Sequence, residues 1–335
     1  MRIIVDAFGG DNAPLEILKG CELAVKEYGI DILLTGSEEI IRKVASENNI
    51  SLEKMEIVDT PDVITMEDDP LSVVKSKKTS SMAEGFRRLA AGEGDAFVSA
   101  GNSGAMVTGA TMIVKRIKGV RRVAFAPVMP KSKDFFMLID SGANTECTPE
   151  MLCQFGIMGS TYMEKVLHVK NPRVGLANVG TEEHKGTENV RNAYALLSKS
   201  SLNFVGNIEA RDIPEDAADV VVADGFTGNI ILKLYEGVAL TLLSKIKGVF
   251  KQSLKNKLAA ALVLKDMKAF KKTVDYNEFG GAPVIGARKP VFKAHGSAMA
   301  QTFKNAIRLT MEYVESGAIS YIEETVSKLK GNEEE

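Results

Sequence analysis

The sequence predicts an α/β fold in which a mostly parallel sheet is covered by helices on both faces, a three-layer α/β/α sandwich. Three observations predict it. Short β-branched apolar runs alternate with helical patterns along the chain. Several of those runs, such as VVVA at 220–223, are apolar throughout, as strands buried on both faces of a parallel sheet require. Finally, 335 residues with 45% apolar and 26% charged side chains supply ample core.

Taken in order, strand patterns fall at 2–5, 32–34, 56–58, 96–99, 124–128, 136–139, 173–178, 203–205 and 220–223. A further apolar-leaning run, PVFKA at 290–294, precedes the last glycine turn. Helical spacing is clearest over 149–166, where Met151, Phe155, Met158, Tyr162 and Val166 recur every three or four residues. Thr148 suits its N-cap and Pro149 its first position. Ala300, Phe303, Ile307, Met311 and Val314 mark a C-terminal amphipathic helix. No repeat and no Pro- or Ser-rich linker divides the chain, so one domain over 1–330 is expected, with the tail 331–335 frayed.

Residues 230–272 stand apart. They show no strand pattern, and two helices are expected, about 230–252 and 254–271, as a projecting pair. Nine lysines and the single acid Asp266 give 245–272 a charge of +8, so the remainder carries −10 although the whole chain sums to −2. Near-neutrality argues against a general nucleic-acid binder, which needs a basic surface to release counterions. No apolar run approaches the roughly 20 residues that cross a bilayer, and an Asp at position 6 interrupts any secretory leader. Cys21, Cys147 and Cys153 form neither a disulfide framework nor a metal-like pairing, and a reducing cytoplasm is expected.

Glycine-rich polar turns follow the strands: DAFGGDNAP at 6–14, SAGNSGA at 99–105, DSGANTE at 140–146, NVGTEEHKG at 178–186 and ADGFTGN at 223–229, with KAHGS at 293–297 before the last helix. Ligands of open α/β sheets bind at such strand ends, and a helix that starts there aims N–H groups and a partial positive charge at an anion. Ser103 and Thr227 are placed to add hydroxyls. Together the turns describe an anion site, best suited to phosphate. Neither G-x-G-x-x-G after the first strand nor GxxxxGK[ST] occurs, and no metal or cofactor is called for. Asp6 and Asp224, at strand ends, either bind a metal or orient a donor, or simply cap their turns. Lys185, in a glycine-flanked loop, is a cation for phosphate or a solvated loop residue. His295 is either a general acid/base or a structural strand-end residue, and the cysteines read as small buried hydrophobes.

The strings VDAFGGDNAP, KKTSSM (77–82), SAGNSGA, DSGAN, VGTEEHKG, NFVGNIEARDI (203–213), DGFTGN and KAHGS, in that order, resemble the bacterial phosphate acyltransferase (PlsX) family over about residues 1–325. Phe8 stands where that family usually has Met, and Asn12 where its residue varies; Asp6, Gly9, Gly10 and Asp11 keep the pattern. The resemblance implies an isocitrate/isopropylmalate dehydrogenase-like α/β/α fold shared with phosphotransacetylases. It implies transfer of a long-chain acyl group from acyl carrier protein to inorganic phosphate, giving acyl phosphate for a membrane-bound glycerol-3-phosphate acyltransferase. It also implies a cytosolic homodimer that visits the membrane surface.

On that reading bound phosphate attacks the thioester directly. Backbone N–H groups at 101–104 and 225–229, around Gly104, Gly225 and Gly228, would hold phosphate with Lys185 and the neighbouring Gly180. Asn102, Asn144 and Asn229 are donors to the thioester carbonyl, and His295, beside Ser297, protonates the leaving thiol. Basic clusters at Lys75, Lys77 and Lys78, at Arg87 and Arg88, and at Lys115, Arg116, Arg121 and Arg122 are candidates for docking the acidic carrier. The lysine-rich pair 230–272 serves the membrane, the dimer, or both. Alternatives are phosphotransacetylase-like transfer from a coenzyme A thioester, a metal-dependent 2-hydroxy acid dehydrogenase, and a non-catalytic membrane adaptor.

Overall fold

The computed structural model describes residues 1–273 and 279–331. Its strands are β1 Arg2–Asp6, β2 Asp31–Gly36, β3 Met55–Asp59, β4 Ala96–Ser99, β5 Ala124–Phe125, β6 Val128–Pro130, β7 Phe135–Ile139, β8 Arg173–Asn178, β9 Asn203–Glu209, β10 Val220–Val222, β11 Gly281–Ile285 and β12 Val291–Ala294. Its helices are α1 Leu15–Tyr28, α2 Glu38–Glu47, α3 Ser81–Ala91, α4 Ser103–Gly109, α5 Pro149–Lys165, α6 Glu188–Lys199, α7 Gly225–Lys251, α8 Leu254–Leu262, α9 Leu264–Thr273, α10 Ala300–Glu315 and α11 Ala318–Gly331. The expected frayed tail lies outside the described residues, apart from Gly331, which ends α11.

Among the described residues the strands form two sheets, ordered β3-β2-β1-β4-β12-β11-β5 and β6-β7-β10-β8-β9. Pairing is mostly parallel; β11 runs antiparallel to β12 and β5, and β6 to β7. Side chains alternate across each sheet. Ile3 and Val5 pack with Ile17, Leu18 and Phe303 on one face of the first sheet, while Ile4 packs with Phe86, Phe97 and Met106 on the other. In the second sheet Val220 and Val222 meet Phe155 and Met158 of α5, and Val221 joins Phe136, Leu138 and the inner turns of α7. Helices on both faces of mostly parallel sheets confirm the predicted class.

The expected strand 124–128 is divided between the two sheets. Pro127 lacks the N–H that a continuous ladder needs, so the chain leaves the first sheet after Phe125 and enters the second at Val128. The bend is fastened to both, by the Ala126 N–H to the Pro283 carbonyl at 3.1 Å and the Leu138 N–H to the Pro127 carbonyl at 3.0 Å. Turns from the two sheets therefore face one another across a cleft.

In the 230–272 region α7 begins earlier than expected, at Gly225, and runs 27 residues. By length and composition it is apolar enough to cross a bilayer, which the sequence reading did not anticipate. Its inner turns, through Ile231, Leu232 and Tyr235, are packed into the protein, whereas Leu240, Leu242 and Val249 are exposed. The expected helix 254–271 is broken at Val263 into α8 and α9. An unbroken helix would continue the apolar stripe Leu254–Leu258–Leu262 onto Asp266; the break re-phases it onto Val263, Met267 and Phe270. Leu258 is 70% and Leu262 86% exposed, and α8 buries no residue.

Candidate active site

Three turns of the first sheet pack together. The buried Asp6 carboxylate accepts the Phe8 N–H at 3.1 Å and the Ser99 hydroxyl at 2.7 Å, and Ser99 Oγ in turn accepts the Gly101 N–H at 3.0 Å. Burial raises the Asp6 carboxyl above its ordinary range, against these hydrogen bonds. A side chain at Gly10, at φ +97°, would meet the Gly296 carbonyl at 2.8 Å and Ala100 Cβ at 2.9 Å, so glycine permits the close approach. The Asp11 N–H donates to that same Gly296 carbonyl at 2.8 Å, and Asn12 Nδ2 to the Ser297 carbonyl at 3.2 Å. Asn102 caps α4 by accepting the Ala105 N–H at 3.0 Å, while its Nδ2 binds the carbonyls of Thr65, Met66 and Asp68.

On the opposing edge Asp140 organises the turn after β7. Its Oδ1 accepts the N–H groups of Phe125, Gly142 and Ala143, and its Oδ2 accepts Asn144 N at 2.6 Å and Asn144 Nδ2 at 2.9 Å. The other Asn144 Nδ2 hydrogen bond goes to the Val123 carbonyl at 2.8 Å. α7 is seated directly on this turn: a Cβ at Gly228 would lie 1.9 Å from the Asp140 carbonyl oxygen and one at Gly225 2.6 Å from that of Asn144. Asp224 is the N-cap of α7, accepting the Thr227 N–H at 2.7 Å and its hydroxyl at 3.2 Å.

Between the two edges lies a cavity of about 390 Å³. Its first-sheet wall is polar, with Asp11, Ser103, Lys293, His295 and Ser297; Ser141 and Gly142 stand opposite. α7 crosses it with Asn229, Lys233 and Glu236, and its other wall is apolar, from Phe125, Pro127, Val128, Met129, Leu232 and Tyr235. Lys293 Nζ donates to the carbonyls of Ala100 at 3.2 Å and Ala294 at 2.8 Å, leaving one of its three protons for a ligand. Burial pulls this amine down to about 8, against the attraction of Asp11. Ser297 presents its backbone N–H at 3.3 Å and its hydroxyl at 2.9 Å to His295 Nδ1. Nδ1 is thereby the acceptor, and the neutral ring carries its proton on Nε2. Burial lowers the imidazole pKa, which keeps the ring neutral at pH 7.

A family model described as "Fatty acid synthesis protein" matches residues 1–321. A phosphate acyltransferase of Alkaliphilus oremlandii is 44% identical over 333 residues, 99% of each chain, and one of Acetivibrio thermocellus 47% identical over 323 residues, 96% of this chain and 95% of the relative. The chain belongs to the phosphate acyltransferase family. That membership makes it an acyltransferase. Among solved structures, a phosphotransacetylase from Streptococcus pyogenes superposes with TM-score 0.63 at 16% identity over 94% of both chains. A 4-hydroxythreonine-4-phosphate dehydrogenase-like protein from Salmonella typhimurium gives 0.51 at 14% over 93% of this chain and 99% of that one. Both likenesses concern the fold.

Within this phosphate acyltransferase fold the cavity gathers Ser103, Asn229, His295 and Ser297 from the sequence-nominated residues. Asp6, Gly9, Gly10, Asn102 and Gly104 shape its first wall from behind; Asn144, Asp224, Gly225, Thr227 and Gly228 shape the second. Of the three asparagines nominated as donors, Asn102 and Asn144 spend their amides on the protein, and only Asn229 lines the cavity. Two nominated backbone donors are also engaged, Gly101 N–H with Ser99 and Gly225 N–H with the Asn144 carbonyl at 2.7 Å. Gly180 and Lys185 sit in the loop after β8, outside the lining; β8 is two strands from β7, about 10 Å across the sheet. Cys147 is pushed up to about 12 by burial, and Cys21 is raised as well, so neither is a thiolate at neutral pH.

Lys293 and Asp140 were missed as candidates although both stand in quoted motifs. Their signals were a lysine between apolar neighbours in PVFKA, and an aspartate at the end of an all-apolar strand. Of the basic clusters, Lys77 is paired with Asp68, and Arg87 and Arg88 with Glu84. Lys115, Arg116, Arg121 and Arg122 make no ion pair among the described residues, and Arg288 joins them by donating to the Arg116 carbonyl.

Proposed function

We propose that this enzyme transfers a long-chain fatty acyl group from acyl carrier protein to inorganic phosphate by direct attack of bound phosphate on the thioester. The observation that carries the reading is a single cavity with a cationic, hydrogen-bonding head and an apolar wall. Phosphate is largely dianionic at neutral pH, with a second pKa near 6 for its esters, and needs positioning more than a base. Lys293 supplies the charge and Ser103 and Ser297 hydrogen bonds. A phosphate oxygen forms the new bond to the carbonyl carbon, Asn229 donates to the developing oxyanion, and the carbon–sulfur bond breaks. The sulfur leaves as the thiolate, stabilised by a hydrogen bond from the His295 Nε2–H, and its low basicity, near pKa 8.5 for a simple thiol, makes it a good leaving group without proton transfer. Here Lys293 takes the cationic role first given to Lys185, because Lys293 stands in the cavity.

The test is phosphate-dependent thiol release from acyl–carrier protein, acyl-CoA and acetyl-CoA in parallel. Release from the carrier thioester only with phosphate, and no acylated protein without it, is expected; a stoichiometric burst of acyl-enzyme in the absence of phosphate refutes direct attack. For carrier docking, Lys75 and Lys78 are exposed on the segment that Asn102 ties to the cavity; charge reversal there should weaken carrier affinity and flatten its salt dependence.

The exposed apolar stripes of α8 and outer α7, set among lysines, support a homodimer in the cytoplasm at the inner face of the membrane. There its acyl phosphate would reach a membrane-bound glycerol-3-phosphate acyltransferase.

A further inference from the structure

The apolar side of the cavity is a trough with two walls. One is the segment from Phe125 to Pro130, six residues that span at most about 16 Å. The other is α7 from Asn229 to Ala239, eleven residues and about 15 Å of helix. α7 turns two strips toward the cavity. Asn229, Lys233 and Glu236 face the head, where the charges of Glu236 and Lys233 act on His295, and Leu232, Tyr235 and Ala239 lie at helical spacing beside them.

Tyr235 closes the seam between the walls. Its hydroxyl donates to the Pro130 carbonyl across the trough, and its ring meets Phe136 edge-on at 5.9 Å between centroids. The side chain is thus held at both its hydroxyl and its ring. Resting on the acyl-transfer reading above, we infer that the trough is a ruler for an unbranched acyl chain and that Tyr235 is its stop.

The experiment compares kcat/KM for carrier thioesters from octanoyl to octadecanoyl in the full-length enzyme. Tyr235→Ala removes the stop and should raise the ratio of long- to short-chain kcat/KM by about tenfold or more, the discrimination that a methylene or two supports in an apolar pocket. Leu232→Phe fills the trough nearer the head and should shift the ratio the opposite way. A loss of folding lowers both ends of the series together and leaves the ratio alone. Displacement of a fluorescent fatty-acid probe by free fatty acids of the same lengths reads the ruler without turnover. Opposite shifts in the two variants support the inference. A ratio and a displacement order unmoved by either variant, or moved the same way by both, overturn it. Absence of phosphate-dependent thiol release by the wild type with every donor refutes the reaction, and the displacement series then decides the ruler alone.

Discussion

Replacing Asp140 by Asn isolates one carboxylate on which both the cavity wall and the seat of α7 depend. Five hydrogen bonds converge on it, three at Oδ1 and two at Oδ2. The amide keeps the shape but replaces one oxygen by a donor. With its NH2 on the Oδ2 side, it confronts Asn144 N and Nδ2; flipped, it confronts three backbone N–H groups, so the first arrangement prevails. Two bonds to a charged acceptor are lost, each worth about 1.5–3 kcal/mol, and Asn144 Nδ2 retains only Val123, so a cost of about 4 kcal/mol follows. In urea this is a midpoint lower by about 1 M or more at an unchanged slope of a few kcal/mol/M. The turn carrying Ser141 and Gly142 should loosen with it, and turnover should fall even under conditions where the variant is folded. A loss below about 1 kcal/mol, with full activity, would refute the assignment of Asp140 as organiser of this edge.

Lys293→Met should lower phosphate-dependent turnover by about 100-fold or more, the scale of losing one preorganised charge at a reacting centre, and raise KM for phosphate; Lys185→Ala should cost far less, and the reverse ranking returns the cation to the β8 loop. Because burial brings Lys293 to about 8, its charge is present below that pH and lost above it; the wild-type rate should therefore fall on the alkaline side with an apparent pKa near 8 that the Met variant lacks. Lys131, with a side chain 2% exposed, contacts Asp216 and Asp219 at 2.6 and 2.7 Å, and Arg173 joins the same two carboxylates. Burial pushes the Asp219 carboxyl up, but the bonds from Arg173 and Lys131 outweigh it and hold it well below the carboxylate range. A depressed carboxyl stabilises the fold above its unfolded pKa and loses that contribution as pH falls, so wild-type stability should drop below about pH 4, and Asp219→Ala should cost about 3 kcal/mol at pH 7 and flatten the acid limb. Leu258→Glu with Leu262→Glu should abolish flotation with anionic vesicles while soluble turnover persists; unchanged flotation removes α8 from the membrane surface.

Much of the fold is legible because parallel strands announce themselves. VVVA at 220–223 and AFVS at 96–99 are too apolar for anything but a buried strand, and the structure places both within a few residues of expectation. β11 was not found, since GAPVI between glycines looks like a loop, and its pairing with β12 and β5 is a tertiary matter. The split at Pro127 was visible as a proline in a strand, but not as a passage between sheets. For the site, position was more legible than role. The turns named the right strand ends, yet a motif does not say whether Asn102 and Asn144 face a ligand or cap a helix and brace a turn. Only the count of hydrogen bonds separates them from Asn229. Lys293 stayed hidden because a lysine's burial is set by neighbours far away in sequence.

α7 runs 27 residues, about 40 Å, between its Asp224 cap and its end at Lys251. One end carries Asn229 and Tyr235; the other stands in the open with Leu242 and Val249. A helix is stiff along its length, so whatever grips the far end works as a hand on a lever whose short arm reaches the cavity. Its fulcrum is the Gly225–Gly228 seat on the Asp140 turn. Crowding that seat with Gly228→Ala should therefore disturb catalysis and the outer surface together, although neither contains the substituted residue.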